Sequence, residues 1–259
     1  MQINIKYQQA ATAAAMMLGA SLAQADCGAL PNWGQLQTAL IAAVTAETSG
    51  LDLQMWATLV DRDGVVCAVA FSGPNRGSQW PGSRVISAQK ANTANAFSLD
   101  GLALSTANLY SAVQPGGSLF GLQHSNPVDT GVAYGGNSAH NGTANDFMTG
   151  KKIGGVNVFG GGLALYNAQH KVIGAVGVSG DTSCADHMIG WRVRNNLALD
   201  YLTGVGGVAA IFSSDPAHPD NIVYDITPNP NGGTGISAKG FGHPTCLNTA
   251  SPLVLPGVR

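Results

Sequence analysis

The chain has 259 residues, of which 45% are hydrophobic and only 10% charged, with a formal charge of −2. An average soluble domain is about 25% charged, so Gly, Ser, Thr and Asn must cover much of this surface, a composition that suits an exported globular protein. The near-neutral balance and the lack of a basic stripe exclude a nucleic-acid or polyphosphate binder.

Lys6, the small and apolar run 10–20 and the triplet Ala23-Gln-Ala25 form the pattern of a secretory leader. Residues 1–25 are therefore expected to be a signal peptide, and the mature protein periplasmic or secreted. The apolar run is too short to span a bilayer, and Asp26 ahead of Cys27 argues against a lipid-modified cysteine. Cys27, Cys67, Cys184 and Cys246 follow. An even count in an oxidising compartment predicts two disulfides, for which three pairings exist. Cys27–Cys67 and Cys184–Cys246 are expected, because they tie the mature N-terminus to a hairpin and the tail to a central helix. No CxxC or CxxCH occurs, so neither a structural zinc site nor covalent haem attachment has a motif.

Trp33, Leu36, Leu40 and Val44 recur at helical spacing before Gly50 and predict the first helix. Met55 to Val60 and Val65 to Phe71 flank Asp61-Arg-Asp-Gly64, which predicts a hairpin. Residues 72–84 read as a loop anchored by a buried Trp80. A helix is predicted over Arg84 to Leu99, with Lys90 and Thr93 on one face. Gly101 to Val113 predicts a further short helix. Gln123 to Lys152 has no periodicity and reads as a long inserted loop, and Val156 to Phe159 as a strand. Leu163 to Tyr166 and Val172 to Val178 predict a second hairpin, ended by Ser179-Gly180-Asp181. Ser183 and Asp186 have capping-box spacing, and Ile189, Val193 and Leu197 share one face of the helix that follows. Beyond residue 204 the chain turns Gly- and Pro-rich. It is expected to be a C-terminal extension, 205–259, packed on a domain of residues 26–204 with its insertion at about 123–152, and with an edge strand at Ile222 to Ile226.

Two stretches carry a family resemblance. Ser87-Ala-Gln-Lys-Ala-Asn-Thr-Ala94, followed in order by Val172-Ile-Gly-Ala-Val-Gly-Val-Ser-Gly180 and Asp186, resembles the GlcG/HbpS family of haem-associated proteins over about residues 53–200. The resemblance implies an α+β fold, a profilin-like α/β/α sandwich with a central antiparallel sheet and helices on its faces. It also implies binding of haem, in some members its degradation, and a homo-oligomer.

Haem b would be held non-covalently near Lys90, Thr93, Ser179, Gly180 and His187. Lys90 and Thr93 would meet a propionate; alternatively Lys90 is solvated and Thr93 bonds back to its helix. The glycine turn before a helix is either an anion cradle or a plain reversal. Of the six histidines, at 124, 140, 170, 187, 218 and 243, His187 is the candidate metal ligand, with Asp186 as a partner that fixes its tautomer. Two competing readings are an extracytoplasmic enzyme acting on a small metabolite with Asp186 and His187 as acid–base pair, and a sensor-accessory module without catalysis. No nucleophile elbow, HExxH, P-loop or dinucleotide fingerprint names a reaction.

Overall fold

The computed structural model describes residues 27–227, 235–251 and 254–259. In chain order the elements are α1 (Trp33–Thr45), β1 (Trp56–Asp61), β2 (Val66–Phe71), α2 (Ser83–Phe97), β3 (Leu102–Ala103), α3 (Leu122–Ser125), α4 (Thr130–Tyr134), β4 (Gly162–Tyr166), β5 (Val172–Ser179), α5 (Ser183–Asn196), β6 (Gly206–Gly207), α6 (Val208–Ser213), β7 (Ile226–Thr227) and β8 (Ile236–Ser237).

The two predicted hairpins, β1/β2 and β4/β5, join through β1 and β5 into one antiparallel sheet of order β2-β1-β5-β4. Side-chain alternation along the strands decides the layers. Trp56 and Val60 of β1 and Ala175 of β5 pack with Val85, Ala88, Ala91 and Ala94 of α2. Ala57 and Leu59, with Val176 and Val178, face the other way, onto Leu36, Ala39 and Leu40 of α1 and Met188, Ile189 and Val193 of α5. The expected α/β/α sandwich around a central antiparallel sheet is the architecture observed.

Local chemistry starts and stops these elements. Asn32 caps α1 by accepting from the Gln35 amide while the Gln35 side chain accepts from the Asn32 amide. In the β1/β2 turn, Asp61 accepts from the amides of Asp63 and Val65, and Gly64 takes a left-handed φ of 77°. The helix α2 sits directly on the sheet because Gly177 has no side chain. A Cβ there would lie 2.0 Å from the Ser87 carbonyl oxygen.

Several local expectations are corrected. Gly101 to Val113 is not a helix but β3 plus two 3-10 turns, the first closed by a Ser105–Asn108 box. Val156 to Phe159 joins no ladder, since the Asn157 amide donates to Thr93 Oγ1 and the Phe159 amide to Asn157 Oδ1. Of the expected strand at Ile222 to Ile226, only Ile226 pairs, with Ser237. Trp80 is 49% exposed and not a buried plug. Within 123–152 the chain is ordered by anchors and not by periodicity: Ala133 and Met148 enter the α2 core, and Asp146 forms a buried ion pair with Arg84.

Several described residues beyond 204 pack along α5. Trp191 Nε1 donates to the Pro256 carbonyl at 2.9 Å, Arg194 holds Asp220 through two bonds of 2.6 and 2.8 Å, and Leu255 joins the main core. The expected leader, 1–25, lies outside the described residues. No helix among the described residues is long and apolar enough to cross a membrane.

Both expected disulfides are present, Cys27–Cys67 and Cys184–Cys246. The second spans 62 residues and fastens the tail to the first turn of α5. Replacing Cys184 and Cys246 together by serine is expected to lower stability by about 2–4 kcal/mol, by lengthening the unfolded chain's loops. Urea unfolding of the oxidised protein checks this, and an unchanged midpoint would show the bridge to be dispensable.

Candidate functional site

The two motif stretches meet where α2 crosses the end of β5. Lys90 is fully buried, and its Nζ donates to Asp186 Oδ2 at 2.5 Å, to the Val178 carbonyl at 3.1 Å and to Ser179 Oγ at 3.4 Å. The other carboxylate oxygen of Asp186 accepts from the amides of Gly180 and Asp181, at 3.1 and 2.9 Å. The Ser179-Gly180-Asp181 reversal is thus held closed by a carboxylate from the first turn of α5. The Gly180 and Asp181 amides are engaged by that internal carboxylate. Gly180 suits the position because a Cβ would meet the Gln54 carbonyl oxygen at 2.6 Å.

Burial controls the electrostatics. It pushes the Asp186 carboxyl up to about 6 against the pull of Lys90, and it lowers Lys90 from the usual amine value although Asp186 opposes this. Lys90 is therefore an internal ion-pair partner and not a solvated or free cation.

The other candidate residues lie apart from this pair. Thr93 Oγ1 donates to the Gln89 carbonyl and accepts from the Asn157 amide, so it bonds back to its helix and fastens the 156–159 segment. His187 is fully buried; its Nε2 lies 3.1 Å from the Ile222 amide and 3.2 Å from Asn221 Oδ1. Burial lowers its pKa to about 3, leaving the ring neutral. Asp186 and His187 are neighbours in sequence but have separate partners, so the structure does not bring them together as an acid–base pair. The helix cap also differs from the expected one: Thr182 is the N-cap, accepting from the Ala185 amide, and Ser183 is the first helical residue.

A cleft of about 320 Å³ opens over this region, lined by Lys90, Ser179, Ser183 and Asp186 below and by Trp80 and Phe159 at its mouth. Trp80 and Phe159 are 49% and 46% exposed. Two larger hollows, about 540 and 640 Å³, lie over α1 and beside the C-terminal segment, and neither contains the motif residues. Sequence reading placed Trp80 as a buried anchor and Phe159 in a strand, and missed both as cleft walls because single aromatics in irregular loops carry no periodic signal.

No curated protein matches the chain in sequence. Among solved structures it is similar to the Klebsiella pneumoniae protein ORFY, at 24% identity and a TM-score of 0.45, covering 76% of this chain and 98% of that one. It is also similar to PduOC in a haem complex, at 23% identity and a TM-score of 0.44, covering 63% and 89%. A double mutant of Streptomyces reticuli HbpS aligns at 14% identity and a TM-score of 0.41, covering 75% and 99%. Residues 35–192 match the family described as haem degrading protein HbpS-like, a span that takes in both motif stretches and every wall of the cleft. The chain belongs to the HbpS-like haem degrading protein family.

Proposed function

We propose that the protein is an exported haem-binding protein that takes haem b at the cleft between Trp80 and Phe159. The observation that carries this reading is the pair of half-exposed aromatic side chains at the mouth of a cleft whose floor is built from both motif stretches. Exposed aromatic faces in a concave site suit a flat, apolar macrocycle with polar groups on one edge. Ser179 supplies a hydroxyl on the floor, and Lys90 would meet a propionate only when Asp186 releases it.

The described residues lining the cleft include no histidine. His187 is buried behind them, with its Nε2 engaged by the Ile222 amide and its Nδ1 without a partner among the described residues, so this reading rests on the aromatic walls and not on a histidine ligand. At about 320 Å³ the cleft is at the low end of ligand pockets, about 300–1,000 Å³, and smaller than haem. The part of the ring outside the cleft is left for a second copy of the chain to cover, which is the proposed role of a homo-oligomer. Two disulfides support an oxidising location, periplasmic or secreted.

Titration with hemin, followed at the Soret band, tests the proposal. A saturable shift is expected, with Trp80→Ala and Phe159→Ala each weakening affinity about ten-fold or more through lost apolar contact. No saturable shift in the wild type would overturn haem binding. A shift unaltered in both variants would move the site away from this cleft.

A further inference from the structure

One wall of the cleft carries an arrangement that haem binding does not use. Ser183 is half-buried, lines the cleft, and stands at the N-terminus of the 14-residue helix α5. Its Oγ accepts from the Gly160 amide at 2.6 Å and lies 2.7 Å from Nε2 of His243. The other ring nitrogen of His243, Nδ1, is 2.7 Å from the Pro244 carbonyl oxygen. A carbonyl only accepts, so Nδ1 carries the proton and Nε2 is left with a lone pair. With one lone pair of Oγ already taken by the Gly160 amide, the Ser183 hydroxyl donates to Nε2. The result is a directed chain of hydroxyl, imidazole and carbonyl, the order in which a serine nucleophile is activated.

His243 is held for this role by the C-terminal segment. Its ring lies 4.8 Å from that of Tyr110, its amide donates to the Val223 carbonyl, and the Cys184–Cys246 bridge ties the chain three residues on to the residue after Ser183. Burial lowers its pKa to about 4, so the ring is neutral at neutral pH and Nε2 carries no proton.

We propose that Ser183 is a nucleophile with His243 as its general base, and that the cleft takes a small activated ester whose apolar alcohol portion rests on Trp80 and Phe159. Ser183 Oγ bonds to the ester carbonyl carbon as its proton passes to His243 Nε2. The carbon–oxygen bond to the alcohol breaks, and the departing oxygen takes that proton. Water then attacks the acyl-serine, with its proton passing through Nε2 to Ser183 Oγ as the acid leaves. The N-terminal end of α5 favours the negative charge that develops beside Ser183.

The test uses the oxidised full chain without haem and a fluorophosphonate probe, in which a phosphorus–oxygen bond to serine replaces the phosphorus–fluorine bond. One adduct per chain, mapped to Ser183 by peptide mass, is expected. Ser183→Ala should abolish it, and His243→Gln should slow it at least about 100-fold, the lower end of what general-base help supplies. Near-ultraviolet circular dichroism identifies whether His243→Gln keeps the native packing, and p-nitrophenyl acetate should release its phenol in a burst from the wild type alone. No adduct on Ser183 in the wild type would overturn the proposal. So would labelling of a natively packed His243→Gln protein at the wild-type rate, since the contact would then only fasten the tail.

Discussion

Lys90→Met is expected to destabilise the protein by about 3–5 kcal/mol, because it strands a buried carboxylate without its counter-charge. Asp186 is fully buried, and its remaining partners are two backbone amides. Reading Lys90 as a propionate partner predicts that alanine there weakens haem binding and leaves the fold intact. Because both partners of the ion pair are buried, a stability cost is expected beside any loss of affinity. The double variant Lys90→Met/Asp186→Asn removes both charges and keeps an acceptor for the Gly180 and Asp181 amides, so it should recover more than half of the loss. Urea unfolding of the wild type, both single variants and the double variant measures the coupling. A cost below about 1 kcal/mol for Lys90→Met would show that the pair does not hold the turn. Hemin affinity is then compared between the wild type and the double variant, both of which remain folded.

Acidification should also unfold the protein well above the pH at which ordinary carboxylates titrate. His187 and His243 have folded pKa values lowered by burial to about 3 and about 4, from 6.5. Groups with depressed values contribute stability that is present above the unfolded value and is lost as pH falls toward the folded one. Between pH 6.5 and 4.5 each histidine loses roughly 2 kcal/mol at 1.36 kcal/mol per unit, since the unfolded ring is already half protonated at pH 6.5. Asp186 acts in the opposite sense. Its value is raised to about 6 from 3.8, so its contribution is lost as pH rises through 6 and regained on acidification, by about 2 kcal/mol down to pH 4.5. The two histidines outweigh the one carboxylate, and the net loss is on the order of 2–3 kcal/mol. Unfolding midpoints at pH 7, 5.5 and 4.5 should fall in that order, with a shallower fall for His243→Gln. A midpoint that rises on acidification would show that Asp186 dominates.

The sequence by itself determined the sheet and its three main helices. Apolar runs joined by the Asp-Gly turn and by the five-residue connection 167–171 place two hairpins, and helical spacing places α1, α2 and α5, because period and turn chemistry are local properties. The disulfide pairing was legible from which segments the cysteines would fasten. Motif order was enough to bring Lys90, Ser179 and Asp186 to one place. What these residues do there was decided only by the tertiary structure. Lys90 and Asp186 are 96 residues apart, and their pairing depends on the approach of α2 to Gly177, which sequence periodicity does not measure. Asp186 and His187 are adjacent along α5, yet successive helical positions point about 100° apart, so one closes a turn beneath the cleft and the other meets the C-terminal segment. Trp80, Phe159 and His243 come from irregular chain with no repeating signal. Their positions at the cleft follow from long-range packing and from the Cys184–Cys246 bridge, the physical terms that a linear pattern does not contain.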